Sequence, residues 1–318
     1  MKIMRERLLG RSGIRVSELC LGTMMFDNDM NWRSSAGRSE SQRIYELYRE
    51  AGGNFIDTAN LYGRSEEIIG PMIAPDREAI VLATKFTLET DAANPNSGGG
   101  SRKSLRASVE TSLRRLGTDY IDLLWVHAWD QRTPMEETVR ALDDLVAAGK
   151  VLAIGVSNTP AWVVSSAITL SQLRGWTPFC ALQVEYSLAA RTADREMLPM
   201  ARAHGLAVTG WAPLARGVLM GVERSHAKPR AVEIGKIVVG IAREMDVPPA
   251  QIALAWSLRR GVTPVVGATK AEQLKESLGA ADVILTDEAM ARLDAASAIE
   301  LGYPHEFLQI KADRLGPI

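Results

Sequence analysis

Cysteine is scarce in this chain. Among 318 residues there are only Cys20 and Cys180, far apart and each inside an apolar segment. That leaves no disulfide framework and no CxxC metal motif, and both read as buried free thiols. Charge of either sign is not in excess: the formal net charge is -1 and the pI about 6.5. Bulk electrostatics therefore give no reason to expect nucleic acid or acidic membranes as partners. No apolar run approaches the length of a bilayer span. The first residues, Met1 to Arg7, are charged and lack the apolar core of a signal peptide, so a cytoplasmic location is the expectation. Internal repeats, low-complexity tails and breaks in composition are also missing. What remains is 46% hydrophobic and 24% charged, the balance of a globular protein with a sizeable core.

A chain of this length suits one large α/β barrel or two ordinary domains. The stretch from Asn54 to Glu67 shows the local order: a short apolar run ends at Asp57, Tyr62 follows, and Ser65 stands as N-cap of a helical pattern. The same alternation recurs along the chain. After a hairpin at 7–16, strands are expected at 18–22, 55–57, 79–84, 120–126, 151–156, 179–184, 206–210 and 262–266. Helical patterns lie between them at 39–50, 65–73, 102–116, 134–148, 160–174 and 195–204. Two more, 232–245 and 249–260, fall between the last two strands, so one of them is extra to the alternation. A final helix is expected at 287–297, with Thr286 as N-cap. Short apolar runs of this kind suit strands buried on both faces. Eight strand–helix alternations without a composition break point to an α/β fold, a (β/α)8 TIM barrel forming a single domain over 1–318. It carries an N-terminal hairpin and extra helices after strand seven and at the C-terminus. A doubly wound sheet is the alternative, but no strand leads into GxGxxG. The Gly98–Gly100 run has no strand directly before it and reads as a flexible loop.

Such a barrel gathers the residues that end its strands on one face: Gly22, Asp57, Tyr62, Lys85, His127, Asn158, Gln183, Trp211 and Gly267. Taken singly, each is an ordinary polar strand end. Together they offer one chemistry. A phenol with pKa ~10 is a poor acid unless a cation stabilises its phenolate. Lys85 can be that cation, and Asp57 can keep it charged. His127 can orient a carbonyl oxygen or share its proton. These are parts for protonating a developing alkoxide while hydride reaches its carbon, and the hydride must come from a cofactor.

At this point the chain resembles the aldo-keto reductase family. The matching stretches are Gly22-Thr23, NFIDTANLYGRSEEIIG from Asn54, VLATKF from Val81 and SLRRLGTDYIDLLWVH from Ser112. They continue with EETVRALDDLVAAGKVLAIGVSN from Glu136, LQVEYSL from Leu182, WAPLARGVL from Trp211 and GATKAEQLKESLGA from Gly267. The resemblance implies a catalytic tetrad of Asp57, Tyr62, Lys85 and His127, with Tyr62 the acid in reduction and the base in oxidation. It implies that Ser157, Asn158 and Gln183 hold a nicotinamide carboxamide and that Trp211, where the family usually has Tyr, stacks on the ring. Further cofactor contacts are implied at Gly22, Thr23, Ala212, Leu214, Arg216, Gly267, Thr269, Lys270, Gln273, Glu276 and Ser277.

Where the family has an Arg for the 2′-phosphate, Gln273 stands here, and Lys270 is the remaining basic candidate. NADPH is the expected cofactor, with NADH as the alternative. Met24, Phe26, Trp32, Phe86 and Trp129 are expected to line a substrate pocket for a small-molecule carbonyl or alcohol. No metal is expected. Two rival readings use the same residues. Lys85 as a Schiff-base nucleophile would need a lowered pKa, which Asp57 opposes. A cofactor-binding redox sensor of the same fold is the other, and the complete tetrad favours turnover over it.

Overall fold

The computed structural model describes residues 3–27, 35–225 and 227–315. Eight parallel strands close a barrel: β3 (Cys20–Gly22), β4 (Phe55–Asp57), β5 (Val81–Phe86), β6 (Ile121–Val126), β7 (Val151–Ser157), β8 (Ala181–Glu185), β9 (Ala207–Trp211) and β10 (Val262–Gly267). They neighbour one another in chain order, and β10 returns to pair with β3, Gly267 opposite Gly22. Before them an antiparallel hairpin, β1 (Glu6–Leu8) and β2 (Arg15–Ser17), covers one end. Its Leu9 and Val16 pack with Cys20, Phe55, Leu123 and Ala181 as a plug at the amino ends of the strands. Gly10, at φ +59°, makes this fit possible: a Cβ there would come 2.1 Å from the Cys180 carbonyl oxygen.

The outer layer comprises α1 (Arg38–Glu50), α2 (Ser65–Ile73), α3 (Arg102–Leu116), α4 (Met135–Ala147), α5 (Ala161–Arg174) and α6 (Met197–His204). It continues with α7 (Pro229–Glu244), α8 (Pro249–Arg259), α9 (Ala271–Leu278), α10 (Asp287–Ser297) and α11 (His305–Leu315). Of the two helices between β9 and β10, α8 lies against β10 and completes the ring. The added one is α7, which packs on α8, α10 and the 3-10 turn Ala215–Met220. Among the described residues, no helix is long and apolar enough to cross a membrane.

Several expectations shift. The first barrel strand is shorter than expected because Glu18 turns away to accept from Arg5 Nε at 3.1 Å. A 3-10 stretch, Ala74–Ala79, occupies the start of the run assigned to the third strand. Two helices escaped the sequence pattern: α9, and α11, whose described side chains are mostly exposed. Thr286 caps α10 as expected, accepting from Ala289 N. Ser65 does not cap α2. Arg64 is the N-cap, and the Ser65 hydroxyl turns inward, 2.7 Å from Thr23 Oγ1 and 2.9 Å from Thr58 Oγ1.

The glycine run at 98–100 is not a flexible tether. Gly99, at φ +85°, donates to Thr87 O at 2.7 Å, and a Cβ on Gly100 would meet Thr138 Oγ1 at 2.7 Å. Glycine is there to let chains approach.

Strand pleating divides the barrel into an inner and an outer face. On β5, Val81 and Ala83 share the inner cluster with Leu123 and Trp125, whereas Phe86 lies with Leu105 and Val109 beneath α3. This period of two carries Lys85 into the barrel and Phe86 out of it.

Candidate active site

Lys85 ends the inner column of β5 and its side chain has no solvent exposure. Its Nζ donates to Asp57 Oδ2 and, at 2.8 Å, to Thr58 O. Both partners come from the end of β4, the neighbouring strand. Burial works against the ammonium, but Asp57 and Tyr62 outweigh it and hold the Lys85 pKa above the ordinary lysine value. Asp57 spends its other oxygen, Oδ1, on Gln183 Nε2 at 3.0 Å, reaching across the barrel to β8. The base of the site is thus a closed chain from Gln183 through Asp57 to Lys85, every member nearly solvent-free.

Tyr62 stands on the turn between β4 and α2, with Lys85 Nζ 4.9 Å from its ring centroid. Burial raises the phenol's pKa, Lys85 acts in the opposite direction and Asp57 adds to the rise, so the net position is above the ordinary value. The phenol therefore holds its proton at neutral pH. His127 follows β6 and meets the Tyr62 ring edge to face, centroids 5.8 Å apart. Burial, then the Lys85 charge, pull its pKa down to about 3. It is a neutral imidazole, and its buried Nδ1 has no protein partner among the described residues. The four expected tetrad residues are therefore brought together.

On the adjoining strand, Asn158 takes φ +43° and its Nδ2 donates to His127 O at 2.8 Å and Ser157 Oγ at 2.9 Å. Ser157 is fully buried. Gln183 commits its side-chain nitrogen to Asp57. Trp211 ends β9 half-buried, and its indole nitrogen is another buried donor without a partner among the described residues. The loop after it is unusual: Ala212, Ala215 and Arg216 all have positive φ, at 52°, 48° and 56°. Non-glycine residues adopt this region at a cost and are found in it at ligand clamps; here the Ala215 N–H closes the turn onto Ala212 O at 2.9 Å. The Arg216 side chain points to solvent, and Leu214 is half-buried.

At the β10–α9 turn, Gln273 Oε1 accepts from Thr269 N and Oγ1 at 3.0 and 3.1 Å. Glu40 of α1 accepts from Ala271 N at 2.6 Å. Lys270 is exposed, as is Glu276, while Ser277 turns into the packing of α9. Gly22 and Thr23 are buried beside Asp57. Thr23 donates from its N and lies with its hydroxyl 3.1 Å from the Asp57 carbonyl oxygen, so its side chain is already engaged.

The expected substrate wall is partly corrected. Phe86 is excluded by strand pleating, as described above. Phe26 has no exposure and packs with Leu19, Ile44 and Tyr48 between barrel and α1. Neither reaches the opening. Met24 and Trp129 are half-buried, and Trp32 lies outside the described residues. Sequence reasoning missed Thr58, whose contribution is a main-chain carbonyl and leaves no trace in side-chain pattern. It also missed the Gln183–Asp57 link across the barrel. Among the described residues no group of three or more His, Cys, Asp or Glu is placed to hold a metal ion.

Comparison with known proteins gives the same answer from a different direction. The model described as "Aldo/keto reductase family" matches residues 18–298. Similar relatives include norsolorinic acid reductase of Aspergillus flavus, 38% identical over an alignment covering 95% of this chain and 84% of that protein. An aryl-alcohol dehydrogenase of Pestalotiopsis microspora is 35% identical, with 98% and 87% covered. A putative aryl-alcohol dehydrogenase of Saccharomyces cerevisiae is 34% identical, with 96% and 89% covered. With its closed barrel and a match over nearly its whole length, the chain belongs to the aldo-keto reductase family.

Proposed function

We propose that this protein, a single domain over 1–318, reduces aromatic aldehydes or ketones to alcohols with NADPH. The reverse oxidation would use the same residues. The carrying observation is the solvent-free Lys85 ammonium, held by Asp57 and Thr58 O within 4.9 Å of the Tyr62 ring centroid. The aryl-alcohol dehydrogenases among the relatives support an aromatic substrate.

The residues present fit a nicotinamide dinucleotide. Of the six buried side-chain polar atoms that lack protein partners among the described residues, two belong to this site, Trp211 Nε1 and His127 Nδ1. The turn after β9, with Ala212, Ala215 and Arg216 held at positive φ, has the strained backbone of a ligand clamp and would lie along the pyrophosphate. Ser157, Asn158 and Gln183 would hold the carboxamide, and the Trp211 face would stack on the ring. Lys270, with Thr269 and Gln273 beside it, would receive the 2′-phosphate, which favours NADPH over NADH. Glu276, exposed on α9, would lie at the adenine end, and Gly267, where a Cβ would come only within 3.8 Å of Gly22 O, leaves room at the strand end.

When bound, the reduced cofactor supplies the hydride. His127, being neutral, offers an N–H to the carbonyl oxygen without competing as an acid. Tyr62 protonates that oxygen as negative charge develops on it. Lys85 stabilises the phenolate left behind, and Asp57 keeps Lys85 charged. In oxidation Tyr62 takes the proton back.

The test is a panel of aryl aldehydes, aryl ketones and benzylic alcohols, followed by absorbance of the reduced cofactor. Tyr62→Phe should lower kcat by about 10²- to 10⁴-fold while still binding cofactor in a tryptophan-fluorescence titration. Undiminished turnover by Tyr62→Phe would sink the acid–base assignment.

A further inference from the structure

One aromatic residue at the mouth of the barrel is used by neither the tetrad nor the proposed cofactor contacts. Trp162 lies in the first turn of α5, four residues after Asn158, and is 64% exposed. Its ring meets Trp129 edge to face, centroids 5.7 Å apart and planes at 88°. Trp129 sits two residues beyond His127, and its N–H donates to Asn158 O at 3.4 Å. The pair is therefore continuous with the site.

It is also pre-set. The residue after Trp129, Asp130, accepts from Gly100 N at 2.8 Å, Arg132 N at 3.0 Å, Thr133 N at 2.9 Å and Thr133 Oγ1 at 2.6 Å. That clamp ties the Trp129 loop to the glycine turn after β5. Trp162 is carried by a helix. Two indoles at right angles on rigid supports offer one face and one edge to an incoming ring, at low ordering cost.

We propose that Trp162 and Trp129 form a subsite for the aromatic ring system of the substrate, beyond the end that carries the carbonyl. This rests on the carbonyl-reductase reading above and adds the residue that selects among substrates. A saturated ring of equal size buries similar area but lacks the quadrupole that favours stacked and T-shaped contacts. Selection should therefore appear as a ratio. An aromatic contact of ordinary strength corresponds to roughly two- to tenfold in affinity.

The experiment compares kcat/KM for 2-naphthaldehyde and its decahydro counterpart in the wild type, Trp162→Ala, Trp162→Phe and Leu173→Ala. Leu173 is an 80% exposed control at the far end of α5. The expected result is a roughly three- to tenfold fall in the aryl-to-saturated ratio for Trp162→Ala. Trp162→Phe should largely restore it and Leu173→Ala should not change it. Naphthalene-2-carboxamide, which is not reduced, is titrated in parallel onto enzyme with oxidised cofactor, and its affinity should fall by a similar factor in Trp162→Ala. An unchanged ratio, with the wild type reducing both aldehydes, overturns the subsite and leaves the reductase reading standing. If the wild type binds cofactor but reduces neither aldehyde, the reductase reading fails. The carboxamide titration then decides the subsite alone: weaker binding to Trp162→Ala supports it, equal binding overturns it.

Discussion

Gln183 Nε2 donates to Asp57 Oδ1 at 3.0 Å, while the other Asp57 oxygen is held by Lys85. The residue expected to grip the nicotinamide thus also touches the carboxylate that raises the Lys85 pKa. Gln183→Glu tests whether this contact sets the ionisation of the pair. Two carboxylates at hydrogen-bond distance cannot both ionise freely, so one titrates at a raised pKa. The acid limb of the kcat/KM profile should move to higher pH by a unit or more. Gln183→Met removes the donor without adding charge and should weaken cofactor binding with a smaller shift. A Gln183→Glu profile superimposable on wild type would show that the contact does not tune the pair.

Lys85 and Asp57 are both nearly solvent-free, so they stand or fall together. Lys85→Met leaves a buried carboxylate with Gln183 as its remaining side-chain donor. Removing one partner of a buried pair costs about 3–5 kcal/mol, and the Gln183 bond places this site toward the lower end. Asp57→Asn added to Lys85→Met removes the stranded charge and should recover most of the urea stability. It should recover none of the turnover. If the double variant is no more stable than Lys85→Met, the loss came from packing and not from an unpaired charge.

How far these relationships could be read beforehand depends on their range. The grouping of Asp57, Tyr62, Lys85 and His127 was legible because three of them lie at strand ends and Tyr62 on the turn after one, and these positions share one face once the barrel is inferred. Phe86 was misplaced because adjacency to Lys85 in sequence means the opposite face on a pleated strand. Ser65 fitted the chemistry of an N-cap, but its hydroxyl had better partners in Thr23 and Thr58, which come together only in the fold. The Gly98–Gly100 run is chemically silent, and its job is defined by Thr87, Asp130 and Thr138 from elsewhere in the chain. Local pattern carried most elements, α9 and α11 excepted, and the contacts of Ser65 and of the glycine run join distant segments that no local pattern pairs.

His127 makes stability depend on pH in the acid range. Its folded pKa, about 3, lies below the ordinary 6.5, so the unfolded chain binds more protons between those values. Stability is therefore fully present above pH 6.5 and declines as pH falls toward 3. Between pH 7 and pH 5 the loss from this one group should be on the order of 2 kcal/mol. His127→Gln cannot titrate, and the difference between its urea midpoints at pH 7 and pH 5 should be correspondingly smaller than in wild type. An equal pH dependence in the two proteins would assign the acid sensitivity to other groups.

Glu40 bears on the preference for NADPH. Its carboxylate accepts from Ala271 N at the start of α9, beside Lys270, and its second oxygen takes Arg43 Nη1 at 2.9 Å. Arg43 also reaches Glu272, at 3.4 Å. A helix N-terminus favours anions, but here a side chain already occupies it. A 2′-phosphate at Lys270 would meet that negative charge, whereas a 2′-hydroxyl would not. Glu40→Gln keeps a hydrogen-bond acceptor and removes the charge. Charge effects at helix ends are about 0.3–1 kcal/mol, so the NADPH affinity should rise about two- to fivefold relative to NADH in fluorescence titrations. Lys270→Ala should move the same ratio the other way. Both variants leaving the ratio unchanged would mean that the phosphate is held elsewhere, and a shift toward NADH in Glu40→Gln would mean that Glu40 helps to bind it through Arg43.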